Sequence, residues 1–75
     1  MNNALCFDLG NSRLKCAVFS NDILQEVIVL EDISINTIHA VLQTYKPSHS
    51  ILSSVINHTE ELEAALAQNT NYHKL

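Results

Sequence analysis

Gly10 is the only glycine in this chain of 75 residues, and it lies between two apolar, strand-like runs. The runs cover residues 4–9 and 12–20, and apolar residues alternate along the second one, as they do in a half-buried strand. Glycine accepts positive φ and lets a backbone approach a ligand closely, while Asn11 tolerates left-handed geometry. The sequence therefore predicts a β-hairpin with its turn at Gly10 and Asn11.

The pattern after the hairpin predicts a third strand and then a helix. A run rich in β-branched residues over 23–30 follows the turn-forming residues 20–22, so we expect a meander of three antiparallel strands. Apolar residues then recur at spacings of three and four over residues 35–45, with Asp32 or Ser34 as the N-cap.

The last third of the chain predicts a fourth strand and a second helix. The strand-like run 49–56 is reached through a helix, so we expect it to lie parallel to the first strand and beside it. The second helix begins near residues 57–59, with Glu60 and Glu61 in its first turn. Residues 72–75 read as the opening of a strand that ends before it can pair. The predicted order is βββαβα in one unit, followed by a truncated final strand.

Charge and hydropathy exclude two classes of partner. Eight acidic residues against four basic ones give a net charge of -4, so the chain offers no basic stripe for a nucleic-acid backbone. No apolar run approaches the ~20 residues that span a bilayer, and the amino-terminal residues lack a positively charged leader region. We therefore expect no nucleic acid and no membrane among the partners, and a cytoplasmic location.

The two cysteines, Cys6 and Cys16, lie on opposite sides of the predicted turn. A hairpin can bring such residues opposite one another, and this would permit a disulfide if their geometry suited it. The favoured interpretation is that both are small buried hydrophobic residues that stay reduced.

The hairpin carries the residues that suggest chemistry. Asp8 ends the first strand and can hold a hydrated divalent cation, while Ser12 and Lys15 can donate to phosphate oxygens. Arg13 reaches either phosphate or solvent, and we include it among the candidate cofactor-binding residues. Taken alone, Asp8 is better explained as a turn-forming residue of an ordinary hairpin, and Lys15 as a surface lysine on an edge strand that discourages aggregation.

Two stretches of sequence resemble type III pantothenate kinases. The motif Asp8-Leu9-Gly10-Asn11-Ser12-x-x-Lys15 resembles the N-terminal phosphate motif of that family, and Ile51-Leu52-Ser53-Ser54-Val55 resembles one of its strands. The βββαβα order is similar to the first lobe of the superfamily of acetate kinases, sugar kinases, heat-shock chaperones and actin, whose core is ribonuclease H-like. Ser12 stands where the family more often has threonine, and Ile56-Asn57 where it often has a proline.

The resemblance implies ATP-dependent phosphorylation of pantothenate at its primary hydroxyl, the first step of coenzyme A biosynthesis. It implies that Asp8 places Mg²⁺ and the phosphates, and that K⁺ or NH₄⁺ serves as a monovalent cation. The residues that would surround the phosphate tail are Gly10, Asn11, Ser12 and Lys15. Family members are longer, with an aspartate base from a later segment, so residues 1–75 would be the N-terminal part of one lobe of a homodimeric enzyme and inactive alone.

Two alternatives stay open at this point. The same resemblance covers non-enzymatic proteins that act as accessory factors in transcriptional regulation, and other sugar or acyl kinases of the superfamily begin with related motifs.

The sequence also leads us to expect self-association, because the first and fourth strands would lack downstream partners and expose sheet edge.

Overall fold

The computed structural model describes residues 3–54 and 60–75, which form a small α/β domain with a mixed five-stranded sheet and two helices. In chain order the elements are β1 (Asn3–Leu9), β2 (Leu14–Ser20), β3 (Ile23–Val29), α1 (Ile35–Tyr45), β4 (His49–Ser54), α2 (Glu60–Asn69) and β5 (Asn71–Lys74). The strands lie in the order β3-β2-β1-β4-β5. Neither helix in these two ranges is long and apolar enough to cross a membrane.

The predicted antiparallel meander is confirmed. β1 pairs with β2 from Asn3 opposite Ser20 to Leu9 opposite Leu14, and β2 pairs with β3 along its other side. The β2–β3 turn consists of Asn21 and Asp22, whose φ values are 52° and 66°. Positive φ at both central residues is typical of the type I′ turn, whose twist matches that of the flanking strands.

Helix α1 carries the chain over the sheet to β4, which lies parallel to β1 and beside it, as predicted. Of the two predicted N-caps, Ser34 occupies the position, and its hydroxyl accepts a hydrogen bond from the Thr37 amide at 3.3 Å. The helix ends at Tyr45, and the next residue, Lys46, has left-handed geometry and donates its amide to the Leu42 carbonyl oxygen at 2.8 Å. Residues 55–56 of the predicted fourth strand lie outside the described residues.

The prediction that the last strand ends before it can pair is wrong. β5 pairs in parallel with β4, with Asn71 opposite His49 and Lys74 opposite Leu52. The cause is α2, which acts as a second crossover and returns the chain to the free side of β4. β1 and β4 are therefore both interior strands, the edges of the sheet are β3 and β5, and the predicted exposure of β1 and β4 is also wrong. The predicted start of α2 at residues 57–59 lies outside the described residues.

The core lies between the two helices and one face of the sheet. Its buried apolar residues are Leu5, Phe7, Leu9, Cys16, Val18, Leu30, Ile38, Val41, Leu42, Leu52, Leu62, Ala65 and Leu66. Strand alternation sends the intervening side chains to the opposite face, which no described element covers. We call this surface the open face; its central residues are Ala4, Cys6, Asp8, Lys15, Ala17, Ile51 and Ser53.

Register places the two cysteines on opposite faces of the sheet. Cys16 is paired with Phe7 and points into the core, whereas Cys6 is paired with Ala17 on the open face. Both thiols are free, and a disulfide between them is excluded because their Cβ atoms point to opposite sides. Burial raises the pKa of Cys16 to about 12. Burial, and then the charge of Asp8, raise the pKa of Cys6.

Candidate phosphate-binding site

The β1–β2 turn has a different geometry from the one the sequence predicts. Residues 10–13 connect the strands, and the Gly10 amide donates to the Arg13 carbonyl oxygen at 2.9 Å. Neither Gly10 nor Asn11 has positive φ, so the turn does not use the tolerance of these residues for left-handed geometry. The reason is loop length, since connections of four residues are most often built around a type I turn, whose central residues have negative φ.

Gly10 is not required by the packing of the turn either. A Cβ atom added there would lie 3.4 Å from the Arg13 carbonyl oxygen, and no closer contact is found. The fold therefore accepts a side chain at this position. What the missing side chain does provide is an uncovered stretch of backbone between the two strands.

The tip of the turn presents unpaired donors. Asn11, Ser12 and Arg13 are exposed, and in the described part of the chain their backbone amides have no acceptor. Successive free amides on a turn form a concave surface that attracts anions. Arg13 lies in the turn, before β2 begins at Leu14, so strand alternation does not fix the direction of its side chain.

Asp8, Lys15 and Ser53 lie side by side on the open face, next to this turn. The register pairs Asp8 with Lys15 on β2 and with Ser53 on β4. Cross-strand neighbours of this kind have Cβ atoms about 5 Å apart. Asp8 is exposed and the other two are half-buried, and within residues 3–54 and 60–75 none of the three side chains has a hydrogen-bond or ion-pair partner. The hairpin thus brings carboxylate and ammonium together, as predicted, without pairing them.

A shallow cleft of about 520 Å³ lies beside the turn and is lined by residues 10–14 and 29–31. The Leu30 amide donates to the Leu14 carbonyl oxygen at 2.7 Å and holds the segment after β3 against the hairpin. This contact brings in Glu31, an exposed carboxylate that the sequence analysis did not consider. The pairing of β2 with β3, continued beyond Val29, is the signal that could have found it.

A second groove, of about 650 Å³, is formed by α1, the residues that follow it and the end of α2. Its lining residues are His39, Leu42, Gln43, Lys46, Pro47 and Asn69. It contains none of the predicted site residues and no carboxylate. A ligand that carries both a cation and an anion therefore finds suitable groups at the β1–β2 turn, where Asp8 and Lys15 lie, and not in this groove.

The residues at the turn fit Mg²⁺ bound together with phosphate. Among the residues that the structure describes, no group of three or more His, Cys, Asp or Glu side chains can hold a metal ion by itself. Mg²⁺ does not need such a group, since it is commonly bound by one or two carboxylates and completed by substrate phosphates and water. Asp8 supplies one exposed carboxylate beside the free amides.

The position of the turn within the sheet also favours a ligand. β1 and β4 are parallel neighbours, and the chain leaves them in opposite directions, toward β2 in one case and toward β5 in the other. In open α/β sheets, ligands bind beyond the carboxyl ends of the strands at the place where the chain diverges in this way. Here those ends are Leu9 and Ser54, and the turn begins at the first of them.

The sequence matches no protein-family model, and no curated protein or solved structure matches it. The resemblance to type III pantothenate kinases therefore depends on the two motifs and on the order of elements.

Proposed function

We propose that this chain binds Mg²⁺-ATP at the β1–β2 turn and forms the phosphate-binding part of a type III pantothenate kinase. Such an enzyme transfers the terminal phosphoryl group of ATP to the primary hydroxyl of pantothenate. The observation that carries the proposal is that Asp8 and Lys15 are cross-strand neighbours whose charged groups, like the adjacent turn amides, have no partner among residues 3–54 and 60–75.

Phosphoryl transfer depends mainly on positioning and charge stabilisation. Lys15 and the amides of residues 11–13 supply positive charge and donors for phosphate oxygens, and Ser12 adds an exposed hydroxyl. Asp8 would hold the hydrated Mg²⁺, which neutralises charge on the phosphates when bound. The chain's own groups at the turn thus match the two halves of a metal–nucleotide complex.

The purely structural explanations of Asp8 and Lys15 fit less well. Lys15 lies on β2, which is an interior strand between β1 and β3, so it does not protect a sheet edge. The Asp8 side chain makes no hydrogen bond to the turn in the described part of the chain, so it does not fix the turn as an aspartate in a tight turn commonly does. A ligand-binding role explains why both charges stay available.

The fold agrees with a ribonuclease H-like lobe of the superfamily that the resemblance implies. A three-stranded meander is followed by two helical crossovers, and β1 is central in the sheet. By the same resemblance, the base that accepts the hydroxyl proton comes from a later aspartate, and the full-length enzyme is a homodimer that uses K⁺ or NH₄⁺. The activity expected of residues 1–75 alone is nucleotide binding without phosphoryl transfer.

The test is an amide chemical-shift titration of the ¹⁵N-labelled chain with Mg²⁺-ATP. We expect shifts centred on residues 9–15 that disappear in Lys15→Ala. The matched control is Lys74→Ala, which removes an exposed lysine from β5 and should leave the shifts intact. A well-folded wild-type chain that shows no shifts at the turn would contradict the proposal.

A further inference from the structure

Ser53 occupies a position that its sequence context does not reveal. It lies on β4, paired with Asp8 of β1, so its side chain is on the open face beside that carboxylate. The adjacent Ser54 is paired with Leu9, whose side chain is buried in the core, so alternation directs Ser54 toward the helices. Of the two neighbouring serines, Ser53 is therefore the one that faces the turn site.

The Ser53 hydroxyl is also available, as far as the described residues show. Serines in or near strands commonly bond to neighbouring backbone groups. Ser53 is half-buried, yet in the described part of the chain it has no hydrogen-bond partner. Its open-face neighbours include Asp8, which likewise has no partner among the described residues, and the apolar Ile51. With no partner among the described residues, this hydroxyl is available to contact a ligand.

The chemistry of the pair points to a cation. A carboxylate and a hydroxyl are both hard oxygen donors, which is what Mg²⁺ prefers, and a serine or threonine hydroxyl recurs as a Mg²⁺ ligand in nucleotide-binding loops. Lys15, on the other side of Asp8, has the opposite charge and suits phosphate oxygens. Across the three strands, Lys15 is therefore suited to phosphate, and Ser53, on the other side of Asp8, is suited to the metal ion.

We propose that Ser53 is a further ligand-binding side chain of this site, and that its hydroxyl binds the Mg²⁺ of a Mg²⁺–nucleoside triphosphate beside Asp8, directly or through the ion's bound water. This deepens the function proposed above and rests on it. It places the bound metal on the open face, between Asp8 of β1 and Ser53 of β4.

The test measures the dissociation constant of ATP by amide shifts, with Mg²⁺ present and with Mg²⁺ removed by chelation. Ser53→Ala is expected to weaken Mg²⁺-ATP binding about three- to tenfold, the usual effect of losing one hydrogen-bonding or ligating group, and to leave binding of metal-free ATP unchanged. Ser53→Thr keeps the hydroxyl and should retain the wild-type affinity. The matched control is Ser20→Ala, at the far end of β2, which should have no effect.

Each other outcome overturns the inference in a recognisable way. If Lys15→Ala abolishes binding while Ser53→Ala binds Mg²⁺-ATP like wild type, the phosphate site stands and the role of Ser53 is refuted. Equal weakening with and without Mg²⁺ would refute the metal assignment, because the hydroxyl would then contact phosphate. If the folded wild-type chain binds no ATP, the proposed function fails and the role of Ser53 fails with it.

Discussion

A substitution at Gly10 should affect ligand binding more than it affects the stability of the fold. Because its φ is not positive and an added Cβ would make only an ordinary contact, we expect Gly10→Ala to change the free energy of unfolding by less than about 1 kcal/mol. The added methyl group of alanine would project from the backbone that a phosphate would approach, so the affinity for ATP should fall. Urea unfolding and an ATP titration on one sample measure both. Strong destabilisation with unchanged ATP binding would show that Gly10 serves the fold instead.

Cys16 links stability to alkaline pH. Burial favours its neutral form, so the folded pKa is about 12, against an ordinary value of 9.0. A raised folded pKa means that the stabilising effect is complete below about pH 9 and is lost as the pH rises toward 12, because the unfolded chain ionises first. We therefore expect the free energy of unfolding to fall over this range, and to fall less steeply in Cys16→Ala.

Thiol labelling provides the control for that interpretation. At pH 8, a water-soluble disulfide reagent should react with the half-buried Cys6 in the folded chain and with Cys16 only as the chain unfolds. Fast labelling of Cys16 under native conditions would show that the thiol is not protected by the core.

The start of α1 is held by side chains in a short network. The Asp32 carboxylate accepts hydrogen bonds from the Ser34 amide at 3.0 Å and the Thr37 hydroxyl at 2.6 Å, and the Ser34 hydroxyl caps the Thr37 amide. Ser34→Ala should destabilise the chain by about 1 kcal/mol, as loss of an N-cap usually does. Urea unfolding at neutral pH measures this, and an unchanged midpoint would mean that the cap contributes nothing.

The same network adds an acid-sensitive component to stability. These hydrogen bonds, chiefly the one from Thr37, lower the pKa of Asp32 below its ordinary value of 3.8. A lowered folded pKa gives stability that is complete above the ordinary value and is lost as the pH falls through the folded one. Asp32→Asn should therefore reduce the loss of stability between pH 5 and pH 2. Asp22→Asn, in the β2–β3 turn, is the matched control, since asparagine also tolerates positive φ.

Local patterns were sufficient to predict most of the elements. A short apolar run identified β1, alternation identified β2 and β-branched residues identified β3. Helical spacing identified α1, and the helix between β3 and β4 implied the parallel pairing of β4 with β1. The pairing of the last strand, β5, with β4 could not be predicted in the same way. β5 has only four residues, and its pairing is decided by where α2 delivers the chain, which is a tertiary effect and leaves no periodic signal in residues 71–74.

The site was predictable to the extent that it is local. Asp8 and Lys15 are neighbours because they flank one turn, and their spacing in the sequence is enough to show this. Ser53 reaches Asp8 only through the parallel register of β4, which is fixed by packing across the sheet. The backbone geometry of Gly10 depends on how the loop closes, and composition alone cannot distinguish a loop of two residues from one of four.

The molecule exposes apolar surface at one edge. β3 is an edge strand, and Leu24, Val27 and Val29 are 52%, 53% and 61% exposed. We therefore still expect self-association that increases with concentration, now through β3 instead of β1 and β4. Val27→Lys should suppress it, because a charge on an edge strand opposes pairing with another chain. Analytical ultracentrifugation measures this, with Ala40→Lys on an exposed part of α1 as the matched control. A wild-type chain that stays monomeric at every concentration would contradict the expectation.

The groups of the candidate site lie together at one end of the sheet. The free amides, Asp8, Lys15 and Ser53 all lie where β1 ends, whereas the groove beside α1 and α2 is lined by other residues. If the chain binds a metal–nucleotide complex, the metal must therefore lie within a few ångströms of the Asp8 side chain and far from His39.

The most direct test replaces Mg²⁺ with paramagnetic Mn²⁺ and records amide line broadening in the presence of ATP. At substoichiometric Mn²⁺-ATP, we expect the signals of Asp8, residues 10–13 and Ser53 to broaden first, while those around His39 and Lys46 stay sharp. Mn²⁺ without ATP identifies binding that does not depend on the nucleotide. Broadening that centres on the groove beside α1 and α2, or that is the same with and without ATP, would contradict a metal–nucleotide site at the β1–β2 turn.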